Sequence, residues 1–136
     1  MLEIGDEKRV IVNSRAKFND SGVDLVAGSV YRIASVPGAR WKDLHLSRDA
    51  NGWKSEDIKF FSRFVRSLEK NRRLPSAHWF EMVGAYGKSD RNLFRIGTQV
   101  MFQAAENSRL FLFANDLPSM YWNNSGSIET IVTRIE

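Results

Sequence analysis

Short runs of β-forming residues, separated by turn residues, most strongly constrain the fold of this chain. Each run is rich in Val, Ile, Leu, Phe or Tyr, and Gly, Asn, Asp, Ser and Pro lie between the runs. Runs of this length and spacing are typical of antiparallel sheets packed face to face. The sequence therefore predicts a mainly β fold, an antiparallel β-sandwich. The runs are residues 9–13, 22–35 (with a turn at Gly28), 79–84, 93–97, 109–115 and 128–135.

Residues 55–71 have a different pattern, with apolar residues recurring at helical spacing. Ser55 is a suitable N-cap, because its hydroxyl can accept a hydrogen bond from an N–H group of the first turn. Pro75 ends the pattern, since proline cannot continue a helix. We expect one amphipathic α-helix near residues 55–71, inserted between strands, with its apolar stripe covering part of the sandwich. The stripe consists of Ile58, Phe60, Phe61, Phe64, Val65 and Leu68.

The composition indicates a single domain over residues 1–136 and excludes several kinds of site. A chain of 136 residues with 43% hydrophobic content can bury its own core. It contains no cysteine, so disulfides, thiolate metal sites and cysteine nucleophiles are excluded. It has two histidines and no evident pairing of a nucleophile with a base. The sequence therefore predicts that the protein is not an enzyme.

No segment has the pattern of a membrane span or a secretion signal. No apolar run reaches transmembrane length, and residues 1–13 contain no apolar signal core. We therefore expect no membrane span and a soluble protein, cytoplasmic or exported without a conventional signal peptide.

The net charge of +4 comes from one segment. Residues 54–73 hold seven Lys or Arg against three Asp or Glu, and the remainder of the chain balances. The aromatic residues of this segment fall on its apolar stripe, whereas single-stranded nucleic acid requires aromatic rings beside exposed cations. The pattern therefore argues against nucleic acid as the partner and favours the solvated face of a helix.

The segment "NDLPSMYWNNSGS", residues 115–127, holds the oxygen-bearing groups that calcium prefers. Asp116 offers a carboxylate, Asn123 and Asn124 offer amide oxygens, and the backbone carbonyl of Met120 could turn inward. The ring of Trp122 could contact the C–H face of a sugar whose adjacent hydroxyls bind the metal. Asp and Asn are also the usual residues of tight turns. These residues alone leave both interpretations open, a turn or a calcium site.

The same segment resembles the signature loop of the calcium-dependent galactophilic bacterial lectins (LecA-like). That signature, "NDxPxxYxNNSGS", is matched at every fixed position. The resemblance extends to residues 21–33, similar to the early hairpin of the family, and to 79–97, similar to its central strand pair. Residues 109–118 and 125–135 are similar to its closing hairpin. It covers about two thirds of the chain and implies a galactose-binding-domain-like jelly roll.

The resemblance also implies a set of calcium ligands and sugar contacts. Asp116 would bind calcium and accept a sugar hydroxyl, and Asn123 would lie near the sugar as well as the metal. A further backbone carbonyl would come from Lys42 or Asp43. The implied calcium ligands are Asp116, Asn123 and Asn124 through their side chains, with Met120 and Lys42 or Asp43 through their backbone carbonyls.

The sugar-contact loop departs from the family pattern. Galactose-binding members place a histidine and a glutamine on the loop before the central strand, where this chain has residues 53–74 instead. His45 and Arg48 are the nearest substitutes by position, beside Asp116, Asn123 and Trp122. A galactoside is the first ligand to expect, although the changed loop leaves the glycan open. Several copies would be expected to assemble, because weak single sites gain avidity that way.

Two functions therefore follow from the sequence. The first is calcium-dependent carbohydrate binding, with a sugar diol coordinated to a calcium ion in the 115–127 loop. The alternative is an interaction or structural domain that keeps a lectin-like sandwich and uses the basic segment 55–73 as its partner surface.

Overall fold

The computed structural model describes residues 1–43, 46–57 and 62–136, and these ranges contain eleven β-strands and one short α-helix, α1 (Ser62–Ser67). Three 3₁₀ turns cover Ser55–Asp57, Glu69–Asn71 and Tyr121–Asn123. The strands are β1 (Glu7–Asn13), β2 (Asn19–Leu25), β3 (Val30–Ser35), β4 (Trp41–Asp43), β5 (Leu46–Arg48), β6 (Met82–Tyr86), β7 (Leu93–Arg95), β8 (Gln99–Gln103), β9 (Ser108–Ala114), β10 (Asn124–Ser125) and β11 (Ser127–Arg134).

The strands form two four-stranded antiparallel sheets and one small three-stranded sheet. The first large sheet has the order β1-β11-β3-β8, and the second has the order β2-β9-β6-β7. The small sheet, β10-β4-β5, adjoins the loop that follows β9. The predicted antiparallel β-sandwich is therefore confirmed, while the jelly-roll assignment stays a prediction.

The main core lies between the two large sheets. Alternate residues of β11, Ile128 and Val132, are fully buried, as Val12 on β1 and Ile33 on β3 are. This period of two is what a sheet with one buried face requires. Strand β9 is different, because Leu110 to Ala114 are all buried. Its second face belongs to a smaller apolar cluster on the outside of the second sheet, formed by Val83, Ala85, Phe111 and Phe113 with Phe18, Ala77, Leu74 and Leu93.

Two of the predicted hairpins do not form. Strands β2 and β3 lie in different sheets, because β2 pairs with β9 whereas β3 pairs with β11 and β8. The turn at Gly28, with φ of 86°, therefore crosses between sheets. Strands β9 and β11 are also divided between the sheets. The central pair is correct, since β6 and β7 pair antiparallel with Val83 opposite Arg95.

Over its described residues, the segment 55–71 forms short helical pieces, where one continuous α-helix was predicted. Its described part consists of the 3₁₀ turn at Ser55–Asp57, the six-residue α1 and a second 3₁₀ turn. Ser55 is buried and accepts a hydrogen bond from Trp79 Nε1 at 2.9 Å, so it is not an exposed N-cap. Residues 58–61, which carry three of the six stripe residues, lie outside the described residues.

Two of the three remaining stripe residues pack as expected. Val65 and Leu68 contact the main core, but the side chain of Phe64 is 65% exposed. Phe64 therefore points away from the sandwich, and its assignment to the covering stripe is wrong. None of the helices in the described ranges combines the length and the apolar character that crossing a membrane requires.

Candidate functional site

The candidate site is the loop from Asn115 to Asn124, which joins β9 to the small sheet. Asp116 Oδ1 accepts a hydrogen bond from the backbone N–H of the next residue, Leu117, at 2.7 Å, a local contact of the kind that short polar side chains make. The N–H of Met120 donates to the carbonyl of Leu117 at 3.0 Å, and the Tyr121–Asn123 3₁₀ turn follows. Gly126, with φ of 85°, then leads the chain into β11.

Three oxygen atoms in this loop are buried without a hydrogen-bond partner among the described residues. They are Asp116 Oδ2, Asn123 Oδ1 and Asn124 Oδ1. Asp116 is 3% exposed and Asn124 is 2% exposed. A buried polar atom without a partner is rare in folded proteins and costs roughly 1–3 kcal/mol. These are the three side chains that the sequence assigned to calcium.

Elsewhere in the described ranges, the only buried side-chain atoms without a hydrogen-bond partner are N–H donors. Trp53 Nε1 and Arg72 Nε are buried and unbonded, but an N–H group cannot bind a cation. In the loop, by contrast, all three atoms are acceptors of the type that calcium uses. The residues of the loop therefore fit a calcium ion.

The electrostatics of Asp116 favour the same interpretation. Burial is the main cause that raises its pKa, to about 7, and the negative charge of Asp43 raises it further. The N–H of Leu117 and the side chain of Asn124 act in the opposite direction. Asn124 Nδ2 donates to Ser14 O at 2.9 Å, and no described hydrogen bond of normal geometry joins it to Asp116, so its effect is that of a nearby dipole. A bound cation would stabilise the charged carboxylate and so oppose the effects of burial and of Asp43 on this pKa.

The small sheet places Lys42 and Asp43, one of which was predicted to supply a backbone carbonyl, next to the loop. Asn124 on β10 lies opposite Asp43 on β4, and Ser125 lies opposite Lys42. The side chain of Lys42 is exposed, whereas Asp43 is half-buried. Directly opposed residues of an antiparallel pair point to the same side of the sheet. Asp43 therefore brings its carboxylate, as well as its backbone, to the side of Asn124, which the sequence did not predict.

The residues predicted to contact the sugar are less closely grouped than those predicted to bind calcium. The side chain of Trp122 is 67% exposed at the centre of the 3₁₀ turn, beside the loop oxygens. Arg48 is on β5, opposite Trp41, and its Nη1 donates to Ser47 O at 3.0 Å. It is one strand further from β10 than Asp43. His45 lies outside the described residues.

Sequence reasoning did not assign a role to Asn115, although it begins the motif. Its Oδ1 accepts from the N–H of Leu74 at 3.0 Å. Its Nδ2 lies within hydrogen-bonding distance of the carbonyls of Leu74 (2.9 Å), Ala77 (3.3 Å) and His78 (3.0 Å). One side chain thus fastens residues 74–78 to the start of the loop. Arg73 was expected only as one of the exposed cations of the basic segment 55–73, because charged runs are usually solvated, but only 2% of its side chain is exposed.

Other charged groups near the loop are already paired. Glu81 is buried, and its carboxylate binds the Arg95 guanidinium at 2.8 Å and the N–H of His78 at 3.0 Å. Within the described ranges, no group of three or more His, Asp or Glu side chains could hold a metal ion. The atoms of the candidate site that could bind a metal are therefore carboxylate and amide oxygens together.

The paired sheets form a β-sandwich with the loop at one end, and this fold is lectin-like. Among the solved structures that match, one is described as "EclA N-terminal domain; PllA-like lectin". The two share 15% sequence identity with a TM-score of 0.62, and the match covers 93% of this chain and 95% of that one. The likeness is one of fold.

The sequence comparisons add no family. No protein-family model matches the chain, and no curated protein matches it.

Proposed function

We propose that this protein is a calcium-dependent carbohydrate-binding protein, without catalytic activity, whose 115–127 loop holds the metal. Asp116, Asn123 and Asn124 would bind the ion through side-chain oxygens, with Met120 and residue 42 or 43 contributing backbone carbonyls. The ion would supply a positive centre that two adjacent sugar hydroxyls can join as ligands. The LecA-like resemblance of the loop and the lectin fold of the matched structure both support this function.

The three unpartnered buried oxygens are the observation that carries the proposal. An ordinary turn would satisfy these atoms through its own backbone, as Asp116 Oδ1 is satisfied by Leu117. In the calcium-free protein, these buried oxygen atoms have lost their contact with water and have gained no hydrogen bond, which costs free energy. A hard cation with six to eight oxygen ligands removes that cost.

Trp122 supports a sugar as the additional ligand. Its side chain is 67% exposed, while its neighbours Tyr121 and Asn124 are buried. A large exposed aromatic ring in a polar loop can pack on the C–H face of a pyranose. A galactoside is the first sugar to test, and several weak sites would gain avidity by assembly of copies.

Calorimetric titration of chelator-stripped protein with calcium tests the metal site. The wild type is expected to show saturable binding, and Asp116→Asn to lose it, because an amide of the same shape removes the charge. Asp24→Asn is the matched control, since Asp24 is an exposed strand residue paired with Arg109. Absence of calcium binding by the wild type would contradict the proposal.

Glycan binding is the second experiment. An array probed in calcium and again in chelator should give signals that depend on calcium and disappear in Asp116→Asn. Trp122→Ala should weaken glycan binding by roughly fivefold, as expected for loss of about 1 kcal/mol of aromatic contact, without changing calcium affinity. Glycan binding that persists in chelator would contradict coordination of the sugar to the metal.

One observation favours the alternative, an interaction domain that uses the basic segment. Phe64 is exposed on α1 between the exposed Arg63 and Arg66. An apolar ring flanked by cations is suited to a protein surface of opposite charge. The double change Arg63→Gln and Arg66→Gln should then remove a protein that copurifies with the wild type. The control is Arg15→Gln with Arg91→Gln, two exposed arginines elsewhere.

A further inference from the structure

Arg73 has an unusual environment for an arginine in a basic segment. Only 2% of its side chain is exposed, and its guanidinium lies against three aromatic rings. The distances from Cζ to the ring centres are 3.4 Å for Phe113, 4.5 Å for Phe18 and 5.5 Å for Tyr121. The side chain therefore belongs to the outer face of the second sheet, not to solvent.

The guanidinium is fully engaged in polar contacts as well. Its Nε and Nη2 donate to the two oxygens of Asp90 at 3.2 and 2.8 Å, and its Nη1 donates to the carbonyl of Lys17 at 2.6 Å. Burial alone would lower the pKa of Arg73, but the hydrogen bonds to Asp90 and Tyr121 outweigh it and raise the pKa. The planar fork of an arginine can make these contacts together, which a lysine cannot.

Arg73 touches the candidate calcium loop at two separate points. Its backbone N–H donates to the carbonyl of Asp116 at 3.1 Å. Its Nη1 also donates to the hydroxyl of Tyr121 at 2.9 Å, and that hydroxyl donates to the carbonyl of Ala114 at 2.6 Å. One residue thus connects the start of the loop with the 3₁₀ turn that carries Asn123.

From these contacts we infer that Arg73 is a positioning residue, which holds the 114–124 loop in the conformation that binds calcium. This inference rests on the proposed function. The loop must keep three oxygen atoms close together and without partners before the metal arrives. A loop free to relax would satisfy those atoms with its own N–H groups and would have to be reordered on binding. Fixing both of its ends lowers that cost, which is the usual effect of preorganisation.

The segment that carries Arg73 contacts the loop through the backbone carbonyl of Asp116 and the hydroxyl of Tyr121. Residues that hold metal ligands in position commonly change metal affinity by 10- to 100-fold when they are altered. A change of this size is expected here although Arg73 is not itself a ligand.

Arg73→Lys and Arg72→Lys form a matched pair for the test. Arg72 is the preceding residue, is also buried, and places its guanidinium 4.9 Å from the Trp79 ring and its Nη2 2.7 Å from the carbonyl of Pro75. Both changes replace a buried arginine by lysine, but only Arg73 reaches the loop through its side chain in the described contacts. Tyr121→Phe is a milder second variant, which removes only the hydroxyl.

Calcium titration and amide hydrogen exchange of the calcium-free protein are measured on all of them. Arg73→Lys should weaken calcium binding at least tenfold and speed exchange of residues 115–124, while β11 keeps wild-type protection. Tyr121→Phe should show the same effects to a smaller extent, and Arg72→Lys should leave both unchanged.

The outcomes separate the two proposals. Wild-type calcium binding with unchanged affinity and exchange in Arg73→Lys and Tyr121→Phe would overturn the role of Arg73 and leave the proposed function standing. Equal losses in Arg72→Lys and Arg73→Lys would also overturn it, because the effect would then be general destabilisation. Absence of calcium binding in the wild type would overturn the proposed function, and the role of Arg73 in metal binding with it.

Discussion

At the scale of single residues, the site combines two carboxylates in an environment that disfavours negative charge. Asp116 is buried, and Asp43 lies on the strand opposite Asn124 and raises the pKa of Asp116 through its charge. Two such groups repel each other unless a proton or a cation is present. They would make the site more strongly anionic than the single carboxylate that the sequence predicts.

Asp43→Asn tests whether the side chain of Asp43 takes part in calcium binding. The variant keeps the backbone carbonyl and the β4–β10 pairing but loses the charge. We expect calcium affinity to fall by roughly tenfold, since one charge near the metal contributes about 1–2 kcal/mol in a partly buried site. The control is Lys42→Gln, whose exposed side chain should matter little. Equal affinities for wild type and Asp43→Asn, measured calorimetrically, would mean that residue 43 serves only through its backbone.

The pKa of Asp116 predicts how the stability of the calcium-free protein depends on pH. The folded state keeps this proton up to about pH 7, whereas the unfolded chain releases it near 3.8. The stabilisation by the protonated form is therefore complete below pH 4 and is lost as the pH rises through 7. The loss should be on the order of 2–4 kcal/mol.

Asp116→Asn should abolish this dependence. Calcium-free Asp116→Asn should equal the wild type in urea unfolding at pH 4 and exceed it at pH 8. Asp24→Asn should keep the wild-type dependence. An Asp116→Asn profile that still falls between pH 4 and 8 would show that another group causes the loss.

At the scale of elements, the sequence predicted which segments form strands better than it predicted their partners. Their content of β-forming residues identified β1 and β11, because such residues suit a half-buried pleated surface. Composition does not report which strand lies alongside, so it could not show that the turn at Gly28 crosses between the sheets. The short strands β4, β5 and β10 carry too few residues for any period. Strand β6 begins at Met82 rather than at Trp79, because Phe80 has φ of 60° and interrupts the extended chain.

The candidate site was predictable to a similar degree. The loop side chains of Asp116, Asn123 and Asn124 could be assigned because they are close in sequence and follow a specific motif. Residue 42 or 43 was expected from the family resemblance only as a backbone carbonyl. The carboxylate of Asp43 and the guanidinium of Arg73 come from distant segments, and only the folded arrangement places them beside the loop. No local pattern marks an arginine that is buried between aromatic rings.

Asn115→Ala tests how strongly the start of the loop is fastened to residues 74–78. The change removes an acceptor from the N–H of Leu74 and a donor from three carbonyls. The free energy of unfolding should fall by about 3 kcal/mol or more, because several buried backbone groups lose their partner. Asn107→Ala is the control, since that exposed side chain accepts one hydrogen bond, from Ala27 N–H, and should cost about 1 kcal/mol or less. Equal urea midpoints for the two variants would contradict this role.

At the scale of the whole molecule, the candidate site joins parts of the chain that are far apart in sequence. The loop follows β9 of the second sheet, and Asn124 begins the small sheet and is hydrogen-bonded to Ser14 beside the first sheet. A ligand at this junction stabilises the complete fold. Binding to the native state alone at 100 times the dissociation constant contributes about 2.7 kcal/mol.

Calcium should therefore raise the melting temperature of the protein. For a chain of this size, that stabilisation corresponds to roughly 6–12 °C. Scanning calorimetry of chelator-stripped protein at increasing calcium should show a progressive rise in the wild type and none in Asp116→Asn. Magnesium should have a smaller effect, because it demands a smaller and more regular shell. A rise of equal size in Asp116→Asn would place the calcium elsewhere.

The hydrogen bond between Asn124 and Ser14, which spans 110 residues, has a consequence for the timing of events. Contacts of such long sequence separation form late, after the chain has closed its large loops. The metal ligands are then incomplete in the folding transition state, and calcium cannot stabilise it. Calcium should slow unfolding and leave the refolding rate nearly unchanged, as expected for interactions absent from the transition state. The calcium-bound protein would therefore stay folded for longer, although it would fold no faster.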